Sequence, residues 1–161
     1  MAEARQAWRP VETRLLAEYL ATKYPAATHL TRVRVGSYRP DLELQGYSPA
    51  ETRALGVWRR WADAVVVEPA KVTIVECSVL PQIGKAAQLW LYMQLWPKTP
   101  EHAALKDLPF SGLLVYAVPD PTINQFAALL GFSVELFRPG WVDTYLSTLA
   151  ARTTRAPLTQ L

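Results

Sequence analysis

A chain of 161 residues, half of them hydrophobic and 19% charged, can bury a substantial core and is too apolar to stay disordered. No apolar run approaches the roughly 20 residues needed to span a membrane. The formal net charge of +3 is mild and excludes neither a nucleic acid nor a protein as partner.

One domain over residues 1–161 is expected, and its first helix should open near Pro10 and end before Pro25. Trp8, Val11, Leu15, Leu16, Tyr19 and Leu20 supply an apolar stripe at helical spacing. Glu12 falls near the middle of that stripe, whereas Glu18 points away from it. A carboxylate among core positions is costly without a partner, so Glu12 calls for one, Arg34 or Arg60 being candidates.

A strand over residues 30–38 should turn Val33 and Val35 opposite to Arg32 and Arg34. A short helix follows, with Ser48 as cap, Pro49 in its first turn, Glu51 completing a capping box and Gly56 as its stop. Residues 61–68 and 71–79 form two apolar runs separated by Pro69-Ala70, which reads as a β-hairpin. Alternation puts Asp63, Val65 and Val67 on one face of the first strand, and Val72, Ile74, Glu76 and Ser78 together on the second. Whether the two acids share a face depends on register.

Residues 82–96 read as a second helix with Lys85, Gln88, Leu89, Tyr92 and Trp96 on one side. A linker rich in proline and charge leads to a buried strand over 111–118, which a helical crossover should make parallel to the Glu76 strand. Asp120-Pro121 starts a helix ending at Gly131, residues 134–137 make a short strand, and residues 141–151 a last helix. The tail from Arg152 onward is expected to be loose. The order predicts an α/β domain, a mixed sheet flanked by helices in a three-layer arrangement.

The chemistry concentrates between Asp63 and Tyr92. Two carboxylates on adjacent strands, backed by a helix carrying Lys85, make a cage suited to a divalent metal. Cys77 is the sole cysteine and His29 and His102 lack ligand spacing, which argues against a zinc site or a histidine base. Arg32, Arg34, Arg39, Arg53, Arg59 and Arg60 cluster before the candidate site, and guanidinium groups suit phosphate contact.

In these features the chain resembles the PD-(D/E)XK nuclease superfamily, in particular its RecB-like branch. The resemblance covers roughly residues 10–118: an α-β-β-β-α-β order, Asp63 opening the second core strand, Glu76 in the third, and Gln88-Leu89-Trp90-Leu91-Tyr92 as the branch's Gln-x-x-x-Tyr motif. It implies a restriction-endonuclease-like core, here extended by a C-terminal α-β-α. It also implies a metal-dependent DNA nuclease with Mg²⁺ or Mn²⁺ held by Asp63, Glu76 and, as in some members, Glu12. The family's lysine belongs two residues after the second acid, where Ser78 stands. Lys85 would be that lysine relocated, completing a catalytic set of Asp63, Glu76 and Lys85. Gln88, Tyr92, Arg59 and Arg60 would contact substrate.

Two other readings stand beside the nuclease. One is an inactive nuclease-like domain kept for DNA binding or assembly, in which the carboxylates point apart or Lys85 bonds directly to one of them and blocks the metal. The other is a homo-oligomeric interaction module whose six tryptophans form part of its surface. Met1-Ala2-Glu3-Ala4-Arg5 lacks the apolar core of a secretion signal, so a cytoplasmic protein with no membrane partner is expected. Scarce asparagine with frequent proline and arginine fits a thermophilic, GC-rich source, a phage among the options.

Overall fold

The computed structural model describes residues 2–36, 46, 48, 50–51 and 60–155, with side chains from Pro10 to Thr153 within those ranges. The side chain of Trp8, the residues Arg39, Pro49, Arg53, Gly56 and Arg59, and the tail from 156 lie outside that description. Among the described residues five strands form one mixed sheet in chain order: β1 (Thr28–Val35), β2 (Arg60–Glu68), β3 (Lys71–Ser78), β4 (Phe110–Tyr116) and β5 (Ser133–Leu136). The first three are antiparallel, while β4 and β5 run parallel to β3.

Among the described residues four α-helices cover the sheet: α1 (Ala2–Lys23), α2 (Ile83–Leu95), α3 (Pro121–Leu129) and α4 (Trp141–Arg155). One core joins α2 and α3 to the sheet through Val65, Ile74, Leu89, Leu114, Ile123 and Phe132. The other joins α1 and α4 to the opposite face through Leu15, Tyr19, Val66, Val75, Val115 and Val142. The expected α/β layering is therefore present, and both crossovers are helical as parallel pairing requires. Among the described residues no helix is long and apolar enough to cross a membrane.

Two helix ends differ from expectation. Helix α1 starts at Ala2 and continues through Pro10, because the preceding Ala, Glu, Arg and Gln residues favour helix on the N-terminal side of the proline. Helix α4 continues past Ala151 to Arg155, since nothing breaks it before Pro157. Two of the expected helix-start signals are present among the described residues. The Asp120 side chain accepts from the N–H groups of Thr122 and Ile123, and Ser48 and Glu51 exchange the reciprocal bonds of a capping box.

Glycine is required at one place in the sheet. A Cβ on Gly112 would lie 2.8 Å from Phe132 Cδ1 and 3.1 Å from Leu89 Cγ, so β4 lets α2 and the start of β5 close over it only without a side chain. At the end of β1, Gly36 takes φ 89 and donates its N–H to Thr99 Oγ1, which ties the strand to the turn after α2.

The edge strand β1 carries the one left-handed non-glycine residue among those described, Arg32 at φ 51. Such a conformation costs an L-residue about 1–2 kcal/mol. It resets the alternation, so Leu30 packs toward the same core as Val33 and Val35, and Thr31 and Arg32 both stay exposed. Strand β2 shifts with it opposite this point, Ala62 and Val65 sharing one core. Asp63 sits at that break.

Candidate active site

The register of β2 and β3 pairs Val65 with Ile74 and Ala64 with Val75, and the next step sets Asp63 opposite Glu76. The backbone ladder is there replaced by side chains. Asp63 donates its N–H to Glu76 Oε1 at 3.0 Å, and Cys77 donates its N–H to Asp63 Oδ2 at 2.9 Å. Each acid thus satisfies a backbone donor of the opposite strand, which fixes both carboxylates where the strands part.

Lys85 comes from the first turn of α2. Its Nζ lies 2.8 Å from Asp63 Oδ2 and 2.8 Å from Glu76 Oε2, so one ammonium bridges both acids. The Glu76 side chain is 1% exposed, Lys85 15% and Asp63 32%, a gradient from the sheet interior to the cleft. Both Glu76 oxygens are engaged, while Asp63 Oδ1 accepts no hydrogen bond among the described residues.

Burial and the Asp63 charge outweigh the pull of Lys85 and push the Glu76 carboxyl up to about 8. Burial works against the Lys85 ammonium, but Glu76 and Asp63 overcome it and hold Lys85 protonated well above the usual lysine range. Burial also raises Glu12, opposed by Lys85 and reinforced by Asp63. One cation therefore answers more than one carboxylate, and the site is short of positive charge.

Glu12 is half-buried on α1 and shares with Asp63 and Lys85 a cleft of about 630 Å³, also lined by Thr31, Arg32 and Trp61. The expected arginine partner is not what meets it. Among the described residues Glu12 makes no ion pair, and Lys85 is the cation acting on it. Helix α1 lies on one face of the sheet and α2 on the other, so Glu12 and Lys85 reach the cleft from opposite layers.

The other expected site residues divide. Tyr92 is buried on α2 with its hydroxyl pushed up to about 12 by burial and by the charges of Glu76 and Asp63, which places it beside the acids. Gln88 is exposed, four residues before buried Tyr92 and so near the same side of the helix, toward its solvent edge. Arg60 is exposed at the start of β2 and acts on Tyr92, and Arg59 lies outside the described residues. Ser78 is fully buried and its hydroxyl donates to the Leu80 carbonyl, so that position shapes the exit from β3.

Tyr116 is not among the residues expected from sequence. It pairs with Ser78 across β3 and β4, is 2% exposed, and its hydroxyl has no hydrogen-bond partner among the described residues. Burial raises it to about 12, Lys85 opposing and Glu76 adding. Alternation along residues 110–116 could have flagged it, because it shares a sheet face with Leu114 and Gly112.

A divalent cation fits this donor set in chemistry. The oxygens are hard, and Mg²⁺ keeps several waters and is commonly held by one or two carboxylates. Among the described residues no three His, Cys, Asp or Glu side chains converge as a metal-binding group, so Asp63 and Glu76 form the closest pair and Glu12 stands back across the cleft. Compared with known proteins, the chain matches no family model and no curated relative.

Proposed function

We propose that this chain is a Mg²⁺- or Mn²⁺-dependent DNA nuclease built on a restriction-endonuclease-like core, with Asp63, Glu76 and Lys85 as its catalytic set. The observation that carries the reading is Lys85 Nζ at 2.8 Å from both acids, at the mouth of a cleft that also holds Glu12. The lysine that the family pattern lacks at Ser78 thus reaches the same acids from the neighbouring helix.

Asp63 and Glu76 would hold the metal, with Glu12 as an outer acceptor for a coordinated water. When bound, the cation would polarise a phosphoryl oxygen and acidify an attacking water. Lys85 keeps an ammonium beside both acids, where it offsets charge building on the phosphate. Tyr92 and Tyr116 are buried, and burial together with the Glu76 charge keeps their hydroxyls protonated, so they add no charge to the site. Arg32 and Arg60 supply positive charge at the rim.

The test is cleavage of labelled DNA with Mg²⁺ or Mn²⁺ by wild type, Asp63→Asn and Lys85→Ala. The Asp63→Asn change keeps an acceptor for the Cys77 N–H while removing charge. Cleavage should vanish in Asp63→Asn and fall about 100-fold or more in Lys85→Ala. Failure of the wild type to bind metal at millimolar concentration would sink the catalytic reading.

A second reading has its own support. Lys85 neutralises the acids directly and Ser78 stands in place of the family's lysine, as an inactive nuclease-like domain retained for DNA binding or assembly would have it. In that case metal titration leaves the Lys85 contacts intact and DNA binding persists without cleavage. The homo-oligomeric reading rests on Ile83 and Trp90, exposed at 59% and 48% on α2.

A further inference from the structure

Trp61 is a large aromatic residue that the core does not use. It is 42% exposed on β2, with the Arg34 guanidinium carbon 4.6 Å and that of Arg32 5.7 Å from its ring centroid. Arg34 is its direct cross-strand neighbour, whereas Arg32 reaches it from the left-handed position that breaks the alternation of β1. The strand pays for this arrangement in backbone strain, and strain that persists beside a cleft points to use of the residues it presents. Trp61 and Arg32 line the same cleft as Asp63 and Lys85.

We infer that Trp61, flanked by Arg32 and Arg34, is a stacking platform for an unpaired base of a single-stranded nucleic acid whose phosphate enters the cleft toward Asp63 and Lys85. A half-exposed indole with guanidinium groups over its ring offers a base either its open π-face or the planar guanidinium stacked on it, and offers charge to the backbone. Base-paired strands hide those faces, so the platform selects against duplex. Asp63 lies two residues along β2 from Trp61, about 6.6 Å by strand rise, within the reach of one nucleotide. The stacked base therefore belongs to the nucleotide beside the reacting phosphate. This assignment names the substrate class of the proposed nuclease site and rests on that reading.

The experiment is fluorescence anisotropy in EDTA at low salt, which reads binding without cleavage. The probes are labelled oligothymidylate and oligouridylate of about 20 nucleotides, long enough to cover a single-strand site, and a duplex of equal length. Wild type should bind a single strand more tightly than duplex. Trp61→Ala should weaken that binding roughly 5- to 150-fold, the range of one lost base stack, while Trp61→Phe retains most of it and controls for folding. Unchanged binding by Trp61→Ala, or duplex bound as tightly as single strand, would overturn the platform. Binding that depends on Trp61 with no Mg²⁺-dependent cleavage of any strand would sink only the enzymatic reading. Undiminished single-strand cleavage by Trp61→Ala would sink only the platform.

Discussion

Lys85 Nζ stands 2.8 Å from Glu76 Oε2, and Glu76 is 1% exposed, so the most buried acid among the described residues depends on a lysine from another layer. Such a pair tolerates the loss of one member less well than the loss of both. Without the ammonium, the buried Glu76 carboxyl loses a hydrogen-bond donor and Asp63 loses its countercharge. Lys85→Met should lower stability by about 3 kcal/mol, and Lys85→Met with Glu76→Gln should recover part of it. Urea unfolding of the three proteins checks this, and a Lys85→Met chain as stable as wild type would show that Lys85 is not the partner of Glu76.

The raised Glu76 carboxyl sets a pH dependence. Its folded value of about 8 lies above its ordinary value of 4.5, so folding takes up a proton between the two. Stability of the metal-free protein should therefore decline as pH rises from about 5 toward 8. The raised Lys85 adds stability that is present below its ordinary 10.5 and lost only at higher pH, outside this window. A divalent cation favours the charged carboxylate, so added Mg²⁺ should flatten the decline, and its affinity should rise across the same range. Thermal melts at pH 5.5, 7 and 8.5, with and without Mg²⁺, read both effects. A melting temperature that climbs with pH in the absence of metal would contradict the assigned direction.

A smaller effect tests the helix-start logic away from the site. Asp120 accepts from the N–H of Thr122 at 2.9 Å and from that of Ile123 at 3.2 Å, both first-turn donors of α3. Asp120→Ala leaves them to water and should cost about 1 kcal/mol, whereas Asp120→Asn should cost less. Guanidinium unfolding measures it, and DNA cleavage should not change.

Local features are legible in the sequence where one residue type has one job. The Asp120-Pro121 start, the Ser48–Glu51 box, the hairpin at Pro69-Ala70 and the parallel β3–β4 crossover all follow from short-range rules. Asp63, Glu76 and Lys85 can be named as a set, yet their contact cannot, because it depends on a register that alternation leaves open. The sequence marks Glu12 as needing a partner, but the cation that acts on it comes from the far layer, reached through a gap where β2 and β3 part. The role of Trp61 is hidden for another reason. Only the left-handed Arg32 sets both arginines against it, and nothing in a run of Thr, Arg and Val announces a positive φ. Tyr116 reads as one more apolar strand residue until the fold sets its hydroxyl near Glu76 and Lys85.

Gly112 offers a test of how α2 is seated over the site. Its missing side chain leaves room for the Phe132 ring and for Leu89, the latter fully buried one turn along α2 from Lys85. An added Cβ would meet Phe132 at 2.8 Å and Leu89 at 3.1 Å, both side chains of the same packed core. Gly112→Ala should therefore destabilise the fold by about 1–3 kcal/mol, as overpacking does. It should also lift α2, lengthening the Lys85 contacts and weakening cleavage more than the stability loss explains. Pairing it with Leu89→Ala, which reopens the space, should restore part of the cleavage at low temperature while stability stays reduced. Gly112→Ala with full stability and full cleavage would mean that α2 is not held against β4 at this point.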